Sequence, residues 1–311
     1  MYTMPPSNDH PITADEFRNS RITHIAKVRQ QLVKKSLGSW DQMIEQWSID
    51  TEHDALWIMH AANYLAKTSG VRWAIDPVRL GQRLPEAPSP NLAGLGLLNF
   101  VLLTHTHKDH ADCHIWHSMR EAPTQWVVPS YMLDMFLEAT DQTQQQWGKR
   151  LIIPKPLEPL VFHGMRVTPF DGLHWEWAAD APADGPPTQG VPATGYLVEN
   201  GERRWLFPGD TRTYDRSRLP DFGSVDIVFA HVWLGRESAL LASPPEREAF
   251  CRFFAALNPR KKLILAHLYD TSRIPEDCWV QDHVKQVKSP LQPQLPDVQI
   301  LAPEYWECVS L

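Results

Sequence analysis

Hydrophobic and polar positions fall into two textures along the chain. Up to about residue 50, Phe17, Ile22, Ile25, Ala26, Leu32 and Val33 form a rough apolar stripe at helical spacing. Thr13-Ala-Asp-Glu16 ahead of them is a capping box, so the pattern predicts a helix running to about Lys35. Gly38 is expected to stop it, and Ser39 to cap a second short helix through Trp47. From Leu56 onward, short apolar runs separated by turn residues read as strands at 55–59, 71–75, 99–103, 125–128, 151–153, 166–169, 194–199, 204–207, 227–230 and 262–266. Helical patterns follow His110 and Ser130, and Ser243-Pro-Pro-Glu246 marks a capped start for a helix over 247–257. The segment 178–192, rich in Pro, Gly and Asp without periodicity, reads as a long loop, and 289–296 as an extended stretch along the surface. This alternation predicts an α/β sandwich, with a helical arm over 1–50 preceding a main domain over 51–311.

Composition narrows the function classes. A chain of 311 residues with 43% hydrophobic positions buries a core without disulfide staples. Cys113, Cys251, Cys278 and Cys308 form no CxxC pair and read as reduced thiols. The longest apolar run, 94–103, is far short of the roughly 20 residues that span a bilayer, and the first residues lack a signal-peptide pattern, so a cytoplasmic location is expected. A net charge of −7 argues against duplex nucleic acid as the partner and leaves a small molecule. Residues 1–37 depart from that average: Arg18, Arg21, Lys27, Arg29, Lys34 and Lys35 face Asp9, Asp15 and Glu16, a local excess of three positive charges. The expected role is a helix packed on the main domain, with a membrane-surface or homo-oligomer contact as alternatives. Fourteen histidines and thirteen tryptophans call for an explanation.

The chemistry concentrates at the end of one strand. After the apolar run to Leu103, His105-Thr-His107-Lys-Asp109-His110 delivers four potential ligands within six residues. A tight turn there can aim His105 and His107 one way and Asp109 and His110 another, giving two adjacent sites. Neutral imidazoles and a carboxylate suit Zn²⁺ or a similar divalent ion.

This stretch resembles the HxHxDH signature of the metallo-β-lactamase superfamily. Further segments carry the resemblance: Leu206-Phe-Pro-Gly-Asp210-Thr211 as the strand and bridging aspartate, Leu263-Ile-Leu-Ala-His267 as the strand with the final histidine, and Val167 to His174 as the segment with the third. Trp57-Ile-Met-His60-Ala and Ile75-Asp76-Pro77 are similar to the opening hairpin of the subgroup of ascorbate-phosphate lactonases and N-acyl-phosphatidylethanolamine phospholipase D, with Met59 where that subgroup has glycine. The resemblance implies an αβ/βα sandwich of two mixed sheets flanked by helices, here with an N-terminal helical extension. It implies two divalent ions, Zn²⁺ foremost with Mn²⁺ or Fe open. His105, His107 and His174 would hold one, Asp109, His110 and His267 the other, and Asp210 would bridge them, with Asp109 also orienting the nucleophile. His163 is the rival to His174 but precedes its strand.

The activity implied is hydrolysis by an activated hydroxide, foremost of a phosphodiester, with a lactone or amide as the alternative. Outside hydrolysis stand an iron-dependent sulfur or oxygen oxidoreductase and a non-catalytic binding module. On the substrate side, His231 is expected to protonate a leaving group and Arg236 to hold an anionic group. Trp175 and Trp177 are candidate pocket walls, and Tyr269 and Asp270 further candidates. His60 and Asp76 are expected to support the ligands, and His114 and His117 to share the face of His110 on a helix.

Overall fold

Two seven-stranded sheets stack face to face because the apolar runs of this chain come in two sets that bury against each other. In the computed structural model, residues 13–49, 53–176 and 189–311 are described. The strands are β1 Ala55–His60, β2 Asn63–Thr68, β3 Val71–Ile75, β4 Phe100–Leu102, β5 Gln125–Val127, β6 Leu151–Ile152, β7 Leu160–Phe162, β8 Met165–Asp171, β9 Thr194–Asn200, β10 Arg203–Phe207, β11 Val225–His231, β12 Pro259–Ala266, β13 Gln299–Leu301 and β14 Cys308–Ser310. The helices are α1 Ala14–Ser48, α2 Leu80–Arg83, α3 Cys113–Ser118, α4 Leu133–Thr140, α5 Gln144–Trp147, α6 Arg247–Ala256 and α7 Gln281–Leu291.

The first sheet runs β14-β1-β2-β3-β4-β5-β6 and the second β13-β12-β11-β10-β9-β8-β7. Each is mixed. Pairing is antiparallel from β14 to β3 and from β10 to β7, and parallel from β3 to β6 and from β13 to β10. Between the sheets, Tyr64, Trp73, Phe100, Phe162, Trp205, Phe207 and Phe229 form one aromatic core. The outer face of the second sheet is covered by Phe250, Phe253 and Phe254 of α6 and Val284, Val287 and Leu291 of α7. This is the two-sheet, helix-flanked sandwich expected from the sequence. The tryptophan excess also finds its place: Trp40, Trp47, Trp57, Trp73, Trp116, Trp126, Trp147, Trp205 and Trp306 all lie in the larger core.

The N-terminal helix corrects two expectations. The capping box at Thr13 and Glu16 forms, but α1 then continues through Gly38 to Ser48 as one helix. Gly38 does not break it because Leu32, Trp40, Met43 and Trp47 are all buried against the first sheet, and that burial outweighs the backbone entropy of a single glycine. Gly38 is exposed with nothing within 4 Å of the space a Cβ would fill. Gly38→Ala is therefore expected to raise stability by about 0.5–1 kcal/mol in thermal or urea unfolding, whereas a true break would make the change destabilising. The basic residues of α1 meet acids of the body: Arg18 pairs with Glu276, Arg29 with Glu86 at 2.7 Å and Lys35 with Glu304 at 3.1 Å. Those pairs are exposed and worth little each, so the buried face holds the helix.

Elsewhere the structure adds and moves elements. β2, β7, β13 and β14 have no counterpart in the expected strand set. Asn63, Lys67 and Thr68 interrupt the apolar pattern of β2, yet all six of its residues are buried, with the Lys67 ammonium donating to the Ile49 carbonyl. The cap expected at Ser243 does not form. α6 starts after Glu246 without a side-chain cap. The stretch from Ser289, expected to be extended, instead contributes its first residues to α7, which tolerates Pro290 in its last turn. Residues 178–188 of the expected long loop lie outside the described residues, as do Trp177 before it and residues 1–12 of the arm.

α1 also places a charge inside the protein. Arg21, buried on α1, donates to the Ala239 carbonyl at 2.7 Å and lies against the ring of His283. Val280 N–H donates to His283 Nδ1 at 3.0 Å, and Nε2 lies 2.9 Å from the Ala239 carbonyl, the pattern of a neutral imidazole. Burial and the Arg21 charge lower the His283 pKa from 6.5 to about 4. The folded state thus resists a proton that the unfolded chain accepts near 6.5, so this contribution is complete above that pH and declines as pH falls toward about 4. A His283→Gln variant is expected to lose less stability than the parent between those two pH values. Parallel melting profiles would refute this.

Candidate metal centre

Six strand ends deliver the site to one edge of the sandwich. β4 hands the chain at Thr104 to the turn bearing His105, His107, Asp109 and His110, which Asp112 closes by capping α3 through the amides of His114 and Ile115. Arg79 fixes Asp112 with paired bonds of 2.8 and 2.9 Å. His174 follows β8, Asp210 follows β10 through Gly209 at φ 75°, His231 ends β11, and His267 follows β12. Asp76, just beyond β3, lies in the left-handed region at φ 44°, and His267 at φ 63°. His267 N–H donates to the Ala61 carbonyl at 2.8 Å, which ties the two sheets together at the site. Strained backbone of this kind persists where the surroundings over-determine it, and it concentrates at functional sites.

Two four-residue donor groups meet here, and Asp76, His105 and His110 form a third, smaller set that overlaps both. His105, His107, His174 and Asp210 offer ligand atoms within 4.8 Å of one another, and so do Asp109, His110, Asp210 and His267. In the second group, His267 Nε2 lies 3.3 Å from Asp210 Oδ2 and 3.4 Å from Asp109 Oδ2, and His110 Nε2 lies 3.3 Å from Asp210 Oδ1. Donors bonded at about 2.1 Å to one tetrahedral ion stand about 3.4 Å apart, so these spacings are close to those around one bound cation. Both ring nitrogens of His174 are buried without a hydrogen-bond partner among the described residues, and His105 Nε2 sits 3.2 Å from His107 Nδ1. Orphaned imidazole lone pairs turned toward one another and a carboxylate are an unfavourable arrangement in a protein interior unless a cation joins them.

The electrostatics agree. Burial pushes His174 down to about 3 and His105 well below the usual imidazole value, so both present neutral nitrogens. Burial alone would raise Asp210, but His267 and His110 beside it hold its carboxyl well below the ordinary range. Burial would likewise depress His110, yet Asp210 and Asp76 hold it protonated.

Supporting contacts explain the orientation. His110 Nδ1 donates to Asp76 Oδ2 at 2.7 Å, which leaves Nε2 facing the site, and Asp76 also accepts from Thr104 N–H at 2.8 Å. That is the role expected of Asp76. His60 is buried behind the site with Nε2 3.9 Å from Asp270 Oδ1.

The substrate-side expectations fare differently. His231, expected as a proton donor, uses both ring nitrogens inside the protein: Nδ1 donates to Asp210 Oδ1 at 2.7 Å, and Nε2 meets the Tyr64 hydroxyl at 3.0 Å. Its position suits holding Asp210 rather than protonating a leaving group. Arg236 reaches the site's rim, where its Nη2 donates to Glu176 Oε1 at 2.6 Å. Trp175 is half-buried, and its carbonyl accepts from Thr213. Tyr269 turns away, its hydroxyl donating to Gln281 at 2.8 Å. His114 and His117 are exposed, because α3 begins only at Cys113 and faces them outward. His163 sits in the turn between β7 and β8, at the opposite end of β8 from His174.

Two arginines went unread in the sequence. Arg212, two residues after Asp210, lies over Trp233 at 5.0 Å and donates to Glu176 at 3.0 Å, and with Asp210, Thr211, His231, Trp233 and His267 it lines a recess at the centre. Arg273 donates to Asp109 Oδ2 at 2.6 Å. Proximity to the Asp210 and His267 motifs was the only signal for either.

Comparison with known proteins places this geometry. A UPF0173 metal-dependent hydrolase of Cupriavidus metallidurans is 26% identical over 210 residues, which cover 61% of this chain and 67% of that protein. Among solved structures, Igni18, a metallo hydrolase from Ignicoccus hospitalis, matches at a TM-score of 0.55 and 14% identity over 83% of this chain and 98% of its own. YhfI of Bacillus subtilis, a metallo-β-lactamase fold protein, matches at 0.57 and 13% identity over 83% and 100%. CmlA, a diiron β-hydroxylase from Streptomyces venezuelae, matches at 0.56 and 18% identity over 84% and 55%. These structural likenesses show a shared fold. The model of the beta-lactamase superfamily domain matches residues 72–268, the span from β3 to just past His267 that carries all seven residues of the two donor groups, and the chain belongs to that superfamily.

Proposed function

We propose that this protein is a metal-dependent hydrolase whose centre holds two divalent cations, one on His105, His107, His174 and Asp210 and the other on Asp109, His110, Asp210 and His267. The carrying observation is the buried pair of donor groups sharing Asp210, with His174 left without a hydrogen-bond partner among the described residues. Cations bound there lower the pKa of a water toward neutrality and offset negative charge that develops on an ester under attack. The chain's own residues set the geometry: Asp76 fixes the tautomer of His110, and His231, backed by Tyr64, fixes Asp210. Asp109 is placed both to hold a cation and to orient the attacking water.

The substrate we favour is a phosphodiester. Arg212 and Arg236 share the one carboxylate of Glu176 at the site's margin, two guanidinium groups on one acid, which suits an anionic ester. Lactone or amide hydrolysis is the second reading, because the same donor groups serve attack on a carbonyl. The relative from Cupriavidus metallidurans is itself named a metal-dependent hydrolase. CmlA, by its name, uses two irons, so the metal carried from the native source should be measured with iron and manganese included.

The test is a panel of the metal-loaded protein against an aryl phosphodiester, a cyclic nucleotide, a lactone and a β-lactam, before and after chelation. Turnover of the diesters that falls on chelation and returns with Zn²⁺ or Mn²⁺ is expected. Preference for the lactone would overturn the substrate assignment, and activity indifferent to chelation would overturn the metal-dependent reading.

A further inference from the structure

Arg273 stands on the turn six residues beyond His267, and its guanidinium enters one donor group and not the other. Nη2 donates to Asp109 Oδ2 at 2.6 Å and lies 3.3 Å from His267 Nε2, so it touches two of the four donors of the second group. It is anchored from behind: Nε donates at 2.9 Å to Asp270 Oδ2, a carboxylate only 2% exposed that Arg83 also contacts at 3.3 Å. The Arg273 side chain is itself 16% exposed. A guanidinium stays charged in a protein, and a neutral imidazole has a single acceptor nitrogen, so a cation on His267 and Asp109 must share them with a fixed positive charge or displace it. In the first group Arg212 is near enough to depress His174 and His107 but no guanidinium hydrogen-bonds to a donor among the described residues, and both nitrogens of His174 lack a hydrogen-bond partner there.

We propose that Arg273 makes the two cation positions unequal, the His105, His107, His174 and Asp210 position loading first and tightly and the Asp109, His110, Asp210 and His267 position only weakly. This rests on the two-cation reading above. At limiting metal the protein carries one ion per chain, and the Arg273 charge stands beside the second position in place of the second ion. Electrostatic competition is the cause, so the asymmetry follows the charge at residue 273 rather than its bulk.

The experiment is a competitive Zn²⁺ titration of the metal-free full chain against a chromophoric chelator, with metal analysis after desalting. The parent is expected to retain one equivalent and to bind a second at least about tenfold more weakly. Arg273→Met, which removes the charge and keeps much of the volume, is expected to tighten the second equivalent by about tenfold or more with the first unchanged, and Arg273→Lys to leave it weak. Arg273→Gln replaces the Met variant if that one does not fold, as judged by circular dichroism. Two equivalents of matched affinity in the parent, or a second equivalent unmoved in both uncharged variants, would overturn the proposal while leaving the two-cation reading intact. A parent that binds no Zn²⁺ at all overturns both.

Discussion

Asp210→Ala is expected to lower hydrolysis by on the order of a hundredfold or more, and the loss should not be restored by excess metal. Asp210 is the one residue common to both donor groups and the only carboxylate of the first. It also accepts from His231 Nδ1 at 2.7 Å and faces His110, His267, His174 and His105 between 3.3 and 3.9 Å. Without it, His105, His107 and His174 face one another with no carboxylate left in their donor group. The variant should therefore hold less than one equivalent of Zn²⁺ after desalting. It should also be less stable than the parent in the metal-free state, because His110 and His267 lose the charge that keeps them protonated. For each of these histidines the folded pKa is raised, so that stabilisation is present at low pH and fades as pH climbs past the folded value. The stability gap between parent and variant should accordingly narrow toward alkaline pH. A variant that turns over substrate at the parental rate would remove the shared carboxylate from the mechanism.

Trp47→Ala is expected to cost about 3–5 kcal/mol of stability. The indole is fully buried in the core, and its N–H donates to the Ala66 carbonyl of β2 at 2.9 Å. Truncation removes a large apolar volume and leaves a buried acceptor without its donor. The size of the effect distinguishes two views of α1. An arm that merely rests on the surface would shift the melting temperature little when Trp47 is cut back, whereas a helix that completes the first sheet's core would lower it by many degrees. The loss should appear in a single cooperative transition shared with the rest of the chain. A separate, early transition confined to α1 would contradict that.

Legibility in the sequence followed the range of the physics. Local signals were read correctly where they act within a few residues: the capping box at Thr13 and Glu16, the apolar run into β4, and the turn that spaces His105, His107, Asp109 and His110. Asp210 and His267 were legible only through the resemblance of Leu206 to Thr211 and Leu263 to His267 to metallo-β-lactamase motifs, because one polar residue after an apolar strand is by itself a common pattern. Gly38 misled, since helix propensity is a weak prior and the burial of Trp40 and Trp47 is decided by a sheet distant in sequence. β13 and β14, three residues each, carry too little pattern to announce themselves, and their existence depends on pairing with β12 and β1.

The sequence by itself determined the kind of chemistry, because the set of donors and their order at strand ends are covalent facts. What only the tertiary structure decided is how those donors are held and what stands between them. His231 is spent on Asp210 and Tyr64, Arg236 on Glu176, and Arg273 on Asp109, each across at least one strand or loop boundary. Side-chain roles of that sort depend on distances and burial between segments tens to hundreds of residues apart, which no local pattern encodes. The fold alone sets a histidine against an aspartate and a tyrosine, and brings an arginine onto Asp109.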